Sequence, residues 1–155
     1  MFRTPFSWVE MQLPDWGFAP VTSSQQRQPT IESTMSQLIN IDQVRAKNAV
    51  GAEAQRVKKD DSEGKALSGY PSLIINNGLI ATVAYSIDKK GQNERIADAI
   101  AFHLSNLPGE NLLGNHPINA TGLRTALCEG EPSLLKRCTY ESLEFLSYLK
   151  RFQRG

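Results

Sequence analysis

The stretch Tyr70-Pro71-Ser72-Leu73-Ile74-Ile75-Asn76-Asn77-Gly78-Leu79-Ile80-Ala81-Thr82-Val83-Ala84-Tyr85 decides the fold. It has two local readings. Two apolar runs on either side of Asn77-Gly78 are the strongest short-range hairpin signal in the chain. Read that way, it forms two β-strands. The other reading is a helix opened by Pro71, whose missing N–H costs nothing in a first turn. Such a helix is apolar nearly all round, with Ile75, Leu79, Thr82, Val83 and Tyr85 inside, and so belongs at the centre of a bundle. Gly78 would then cost about 1 kcal/mol against alanine. Local physics leaves both readings open.

Upstream, Asp60 to Gly69 reads as a polar loop broken by Gly64 and Gly69. Before it, Ile41 to about Lys59 has a helical pattern rich in alanine. At about 100° per residue, Ala46, Ala49, Val50, Ala54 and Val57 share one face. Arg45 and Arg56 lie on one edge of that face, and Lys47 and Lys58 on the other. Each pair is three turns, or about 16 Å, apart. The plain reading is a solvated rim, which spacing alone favours. The sharper one is a pair of rails along a phosphate backbone.

Residues 1–34 differ from the rest. They hold Pro5, Pro14, Pro20 and Pro29, both tryptophans and a polar run from Thr22 to Gln28, with no helical or strand period. An irregular or disordered extension is expected, with Met35 an alternative start. A peptide docking through Trp8 and Trp16 is the other reading. The helical domain is expected over 35–155.

Downstream, a helix is expected from about Asn93 to Leu107, stopped by Pro108-Gly109. Its apolar stripe is Ile96, Ile100, Ala101, Leu104 and Leu107. Glycines and prolines break 109–132, leaving short turns such as Leu123 to Leu127. The last helix is expected to start near Thr139 as N-cap, with Glu141 in its first turn. Phe145, Tyr148, Leu149 and Phe152 mark its buried face. Lys150, Arg151 and Arg154 sit in the last turn, where cations suit the helix dipole.

Composition narrows the function. The net charge is +1 among 17 Lys and Arg against 16 Asp and Glu, so any nucleic-acid role must come from local clusters. The two cysteines, Cys128 and Cys138, are too few and too far apart for a zinc site, and read as reduced, structural and cytosolic. No apolar run approaches the roughly 18 residues of a membrane helix. Catalytic motifs are lacking: no Gly-rich phosphate loop, no HExxH and no GxSxG. His103 and His116 read as ordinary surface or half-buried histidines, and Glu141 with Glu144 as solubilising residues. No cofactor, metal or catalytic residue is expected.

Three segments in order carry a resemblance. They are Asp42-Gln43-Val44-Arg45-Ala46 with Ala49, the Tyr70–Tyr85 stretch, and Thr139-Tyr140-Glu141-Ser142-Leu143-Glu144-Phe145-Leu146-Ser147-Tyr148-Leu149-Lys150-Arg151-Phe152. Together they resemble the small subunit family of the type III-B (Cmr) CRISPR effector complex, from about Ile41 to Phe152. The terminal segment is the specific one; Tyr148 stands where the family often has tryptophan. Residues 1–34 have no counterpart. The resemblance implies an all-α bundle of about five or six helices, with Pro71 to about Ile87 helical. It also implies a cytoplasmic, prokaryotic, non-catalytic subunit in antiviral defence. The expected partners are CRISPR RNA, target RNA, other Cmr subunits and neighbouring copies of itself, with no membrane. By motif, Arg45, Lys150 and Arg151 carry over as RNA-facing. Charge clustering adds Lys47, Arg56, Lys58, Lys89, Lys90, Lys136 and Arg137. The type III-A small subunit and a protein-binding helical adaptor are the alternatives.

Overall fold

The computed structural model describes residues 40–57 and 65–153, all within the second of two units, 39–155, into which the chain divides. The expectations for residues 1–34, Met35 and Lys58 lie outside the described residues. The described residues form seven α-helices and no strand: α1 Ile41–Val50, α2 Ala52–Gln55, α3 Lys65–Asn77, α4 Leu79–Lys89, α5 Gln92–Ser105, α6 Ala120–Glu129 and α7 Pro132–Phe152. The all-α class is therefore established and the hairpin reading is excluded.

The Tyr70–Tyr85 stretch is two helices rather than one. Gly78 interrupts it with φ +82° and ψ 160°, a conformation essentially reserved for glycine. The glycine thus makes an elbow between α3 and α4. Pro71 lies well inside α3 and not in its first turn, because the helix already starts at Lys65 and runs through Gly69. The elbow also re-sorts the faces. Leu79, Thr82 and Val83 are buried as expected, but Ile74 replaces Ile75, which is exposed, as is Tyr85.

The central position belongs to α5. It packs against α2, α3, α4, α6 and α7. Ile96, Ile100 and Leu104 fill one side, and Ala97, Ala99 and Ala101 let neighbouring helices approach the others. Beyond it, Asn111 holds a tight turn through Gly114 and the Leu113 amide, which places Leu112 and Leu113 in the core. Asn119 then caps α6 by accepting from the Gly122 amide at 2.8 Å. Asp98 ties that start to α5 by accepting from the Ala120 amide at 2.7 Å. Close approach explains Gly122: a Cβ there would stand 1.9 Å from the Pro117 carbonyl oxygen. With these anchors α6 is longer than the short turn expected.

The polar groups inside are satisfied locally. Ser86 donates to the Thr82 carbonyl at 2.8 Å, so it accepts from the Tyr70 hydroxyl at 2.7 Å. Burial pushes the Tyr70 hydroxyl up to about 12, so it stays a neutral donor. Cys138 is buried and its thiol is pushed up to about 11, chiefly by that burial. Cys128, expected to be structural, is instead exposed.

Candidate nucleic-acid interface

The rail of Arg45 and Arg56 does not form; that of Lys47 and Lys58 reaches outside the described residues. Gly51, with extended backbone, ends α1 and separates it from the single turn of α2. Arg45 and Arg56 are therefore not on one helix edge. Arg56 is exposed and pairs with Glu53 at 3.1 Å. Lys47 is exposed at the end of α1.

Arg45 is buried, against the expectation that it faces RNA. Its Nε and Nη2 donate to the two oxygens of Glu141 at 2.8 and 2.7 Å. Its Nη1 reaches Asp42 at 2.9 Å and Glu144 at 3.8 Å. The reason for the inward turn is geometric. A forked guanidinium matches a carboxylate on the facing helix, and the two bonds clamp α1 to α7.

His103 completes this cluster and is fully buried, not a surface residue. Asn48 donates to its Nδ1 at 2.9 Å, which leaves Nε2–H to donate to Glu141 Oε1 at 2.9 Å. The ring is stacked on Phe145 with centroids 4.2 Å apart. Burial is the main influence lowering the His103 pKa below its ordinary value, and the Arg45 charge adds to it against the pull of Glu141. For Glu141, burial raises the pKa. The hydrogen bonds from Arg45 and His103 outweigh it and hold the carboxyl below its ordinary value. Glu141 is thus a buried cross-brace, not a first-turn charge. The helix starts seven residues before Thr139, at Pro132, and Thr139 spends its hydroxyl on the Leu135 carbonyl at 2.7 Å. The cluster joins three helices with paired, desolvated groups, and this arrangement is structural.

The other cations expected to face RNA are at the surface in two groups. Lys89 and Lys90 end α4. Together with Lys65, at the start of α3, they line a concavity of about 230 Å³ that also includes Gly91 and Asn93. Sequence reasoning missed Lys65 because it placed that residue in a loop. The second group runs along α7. Lys136 and Arg137 are exposed near its start, Arg151 is exposed at its end, and Lys150 is half-buried beside Arg151. Arg137 makes a forked pair with Glu110 of the preceding loop. Residues 136 and 150 are fourteen positions apart, about 21 Å along the axis and only about 40° around it. The two cation pairs therefore share one side of the longest helix.

A family model described as CRISPR-associated protein (Cas_Cmr5) matches residues 41–155. The chain belongs to the Cas_Cmr5 family. That makes it a CRISPR-associated subunit of the Cmr type, and the matched residues take in every helix described above. No curated protein and no solved structure matched the chain. No helix among the described residues is long and apolar enough to cross a membrane. Within this Cas_Cmr5 fold, the solvent side of α7 and the α4–α5 turn hold clusters of surface cations, while Arg45 serves the core.

Proposed function

We propose that this Cas_Cmr5 subunit is the non-catalytic small subunit of a type III-B effector, lining the guide–target RNA channel and stabilising the complex in antiviral defence. The observation that carries the reading is the family match over residues 41–155. The solvent side of α7, with Lys136, Arg137, Lys150 and Arg151, supports it, as does the Lys65, Lys89 and Lys90 group. Contact of this kind is electrostatic and independent of sequence: cations neutralise phosphates and release counterions. A chain with a net charge of +1 should bind free RNA weakly. Its contribution is then made inside the complex, where the other subunits hold the duplex close.

The test is the double variant Lys150→Ala/Arg151→Ala, reconstituted into the effector, with RNA affinity measured across a salt series. The salt slope should fall by about one for each phosphate contact removed. Unchanged affinity, slope and assembly would remove these two residues from the interface. Lost assembly with an unchanged slope would place them against an acidic surface of a neighbouring subunit.

A further inference from the structure

Tyr140 sits on α7 with 63% of its surface exposed. It lies one turn from Lys136 and Arg137, which are about 40° and 60° to either side of it on the helix. Arg151 is nearly in line with it, about 16 Å further on. The positions between are polar: Glu144 is half-buried and Ser147 exposed. Tyr140 is thus an isolated aromatic ring inside a mainly cationic, hydrophilic stripe.

Two chemistries use an exposed tyrosine. A protein-docking face surrounds it with apolar neighbours and depletes lysine, which this stripe does not do. Single-stranded nucleic-acid surfaces combine cations that track the backbone with aromatic faces that stack on bases. The stripe fits that second pattern. No hydrogen bond among the described residues fixes the Tyr140 hydroxyl, so the ring is not held to the fold by it.

We propose that Tyr140 stacks on an unpaired base of RNA while Lys136 and Arg151 hold the flanking phosphates. This rests on the RNA-facing reading above and names the residue that reads a nucleotide rather than the backbone. Stacking needs a π-face and not a hydroxyl, and it is tolerant of which base is present. The ligand class is therefore a single-stranded or unstacked ribonucleotide within a longer strand.

The experiment uses the assembled effector with guide and target RNA. Zero-length ultraviolet cross-linking is followed by mass spectrometry of the nucleotide-bearing peptides, alongside target affinity at several salt concentrations. The expected result is a nucleotide adduct on Tyr140. Tyr140→Ala should weaken binding by roughly 5- to 150-fold, the usual range for loss of one base–aromatic stack, with the salt slope unchanged. Tyr140→Phe should restore affinity. The ring is exposed, so the alanine variant should fold and assemble normally. If Tyr140 carries no adduct and alanine is silent while Lys136→Ala lowers the slope, the stacking role is overturned but the RNA-facing reading stands. If neither variant has an effect, stacking is overturned and Lys136 leaves the interface. Loss of assembly in Tyr140→Ala with no adduct would make the ring a protein contact and overturn stacking.

Discussion

Replacing Glu141 by alanine is expected to destabilise the fold by about 3 kcal/mol or more, because it leaves the Arg45 guanidinium buried without its main partner. Arg45 and Glu141 are both nearly inaccessible, and His103 loses its acceptor in the same step. Asp42 and Glu144 stay near Arg45, which keeps the loss toward the lower end of the range. Thermal unfolding should show it as a drop of roughly 10 °C or more. The double variant Arg45→Met/Glu141→Leu should lose less than the sum of its single changes, since joint removal leaves no orphaned charge. A strictly additive pair would mean that the clamp between α1 and α7 contributes nothing as a unit.

The same cluster makes the protein acid-sensitive. His103 has its folded pKa depressed below the ordinary 6.5, so the unfolded chain takes up the proton first. Its contribution is present above about pH 6.5 and is lost as pH falls. The Glu141 pKa is depressed below 4.5, so its contribution is present above that value and is also lost on acidification. Stability should therefore decline from about pH 7 downward and more steeply below about pH 5. Circular dichroism melts across that range should show the decline in the native protein; in Glu141→Ala the fall below about pH 5 should shrink, while the fall just below pH 6.5 should remain, because Glu141 was opposing the depression of His103.

Replacing Phe145 by alanine should cost about 3–5 kcal/mol through lost burial and the cavity left behind. Phe145 is 1% exposed and its ring covers the buried imidazole of His103. Leucine should recover most of the loss, because it refills the space with apolar volume. The loss should add imperfectly to that of Glu141→Ala, since both side chains touch His103. A fall of less than 1 kcal/mol, measured in urea, would contradict the packing described here.

Local pattern carried α5 almost to its ends, because its apolar stripe is long and regular. It also carried the buried face of α7 at Phe145 and Leu149. It did not settle Tyr70–Tyr85, where Asn77-Gly78 suits a hairpin and an elbow between helices equally. The resemblance selected helix, but not the break at Gly78. The Arg45–Glu141 brace was illegible because it joins positions 96 residues apart, and pairing at that distance leaves no local period. A signal was present: His103 and Glu141 each interrupt an otherwise apolar helix face, and charges on such faces survive only when paired. Lys65 was missed for a simpler reason, since Gly64 and Gly69 made a helix start look like loop.

Purifying the tagged protein from its native cells and sequencing the RNA that comes with it would show whether it works inside an RNA-loaded effector. Short RNAs sharing one repeat-derived end are expected, together with several co-purifying effector subunits. Protein free of RNA, or bound to a single unrelated partner, would contradict that role and leave a helical adaptor in its place.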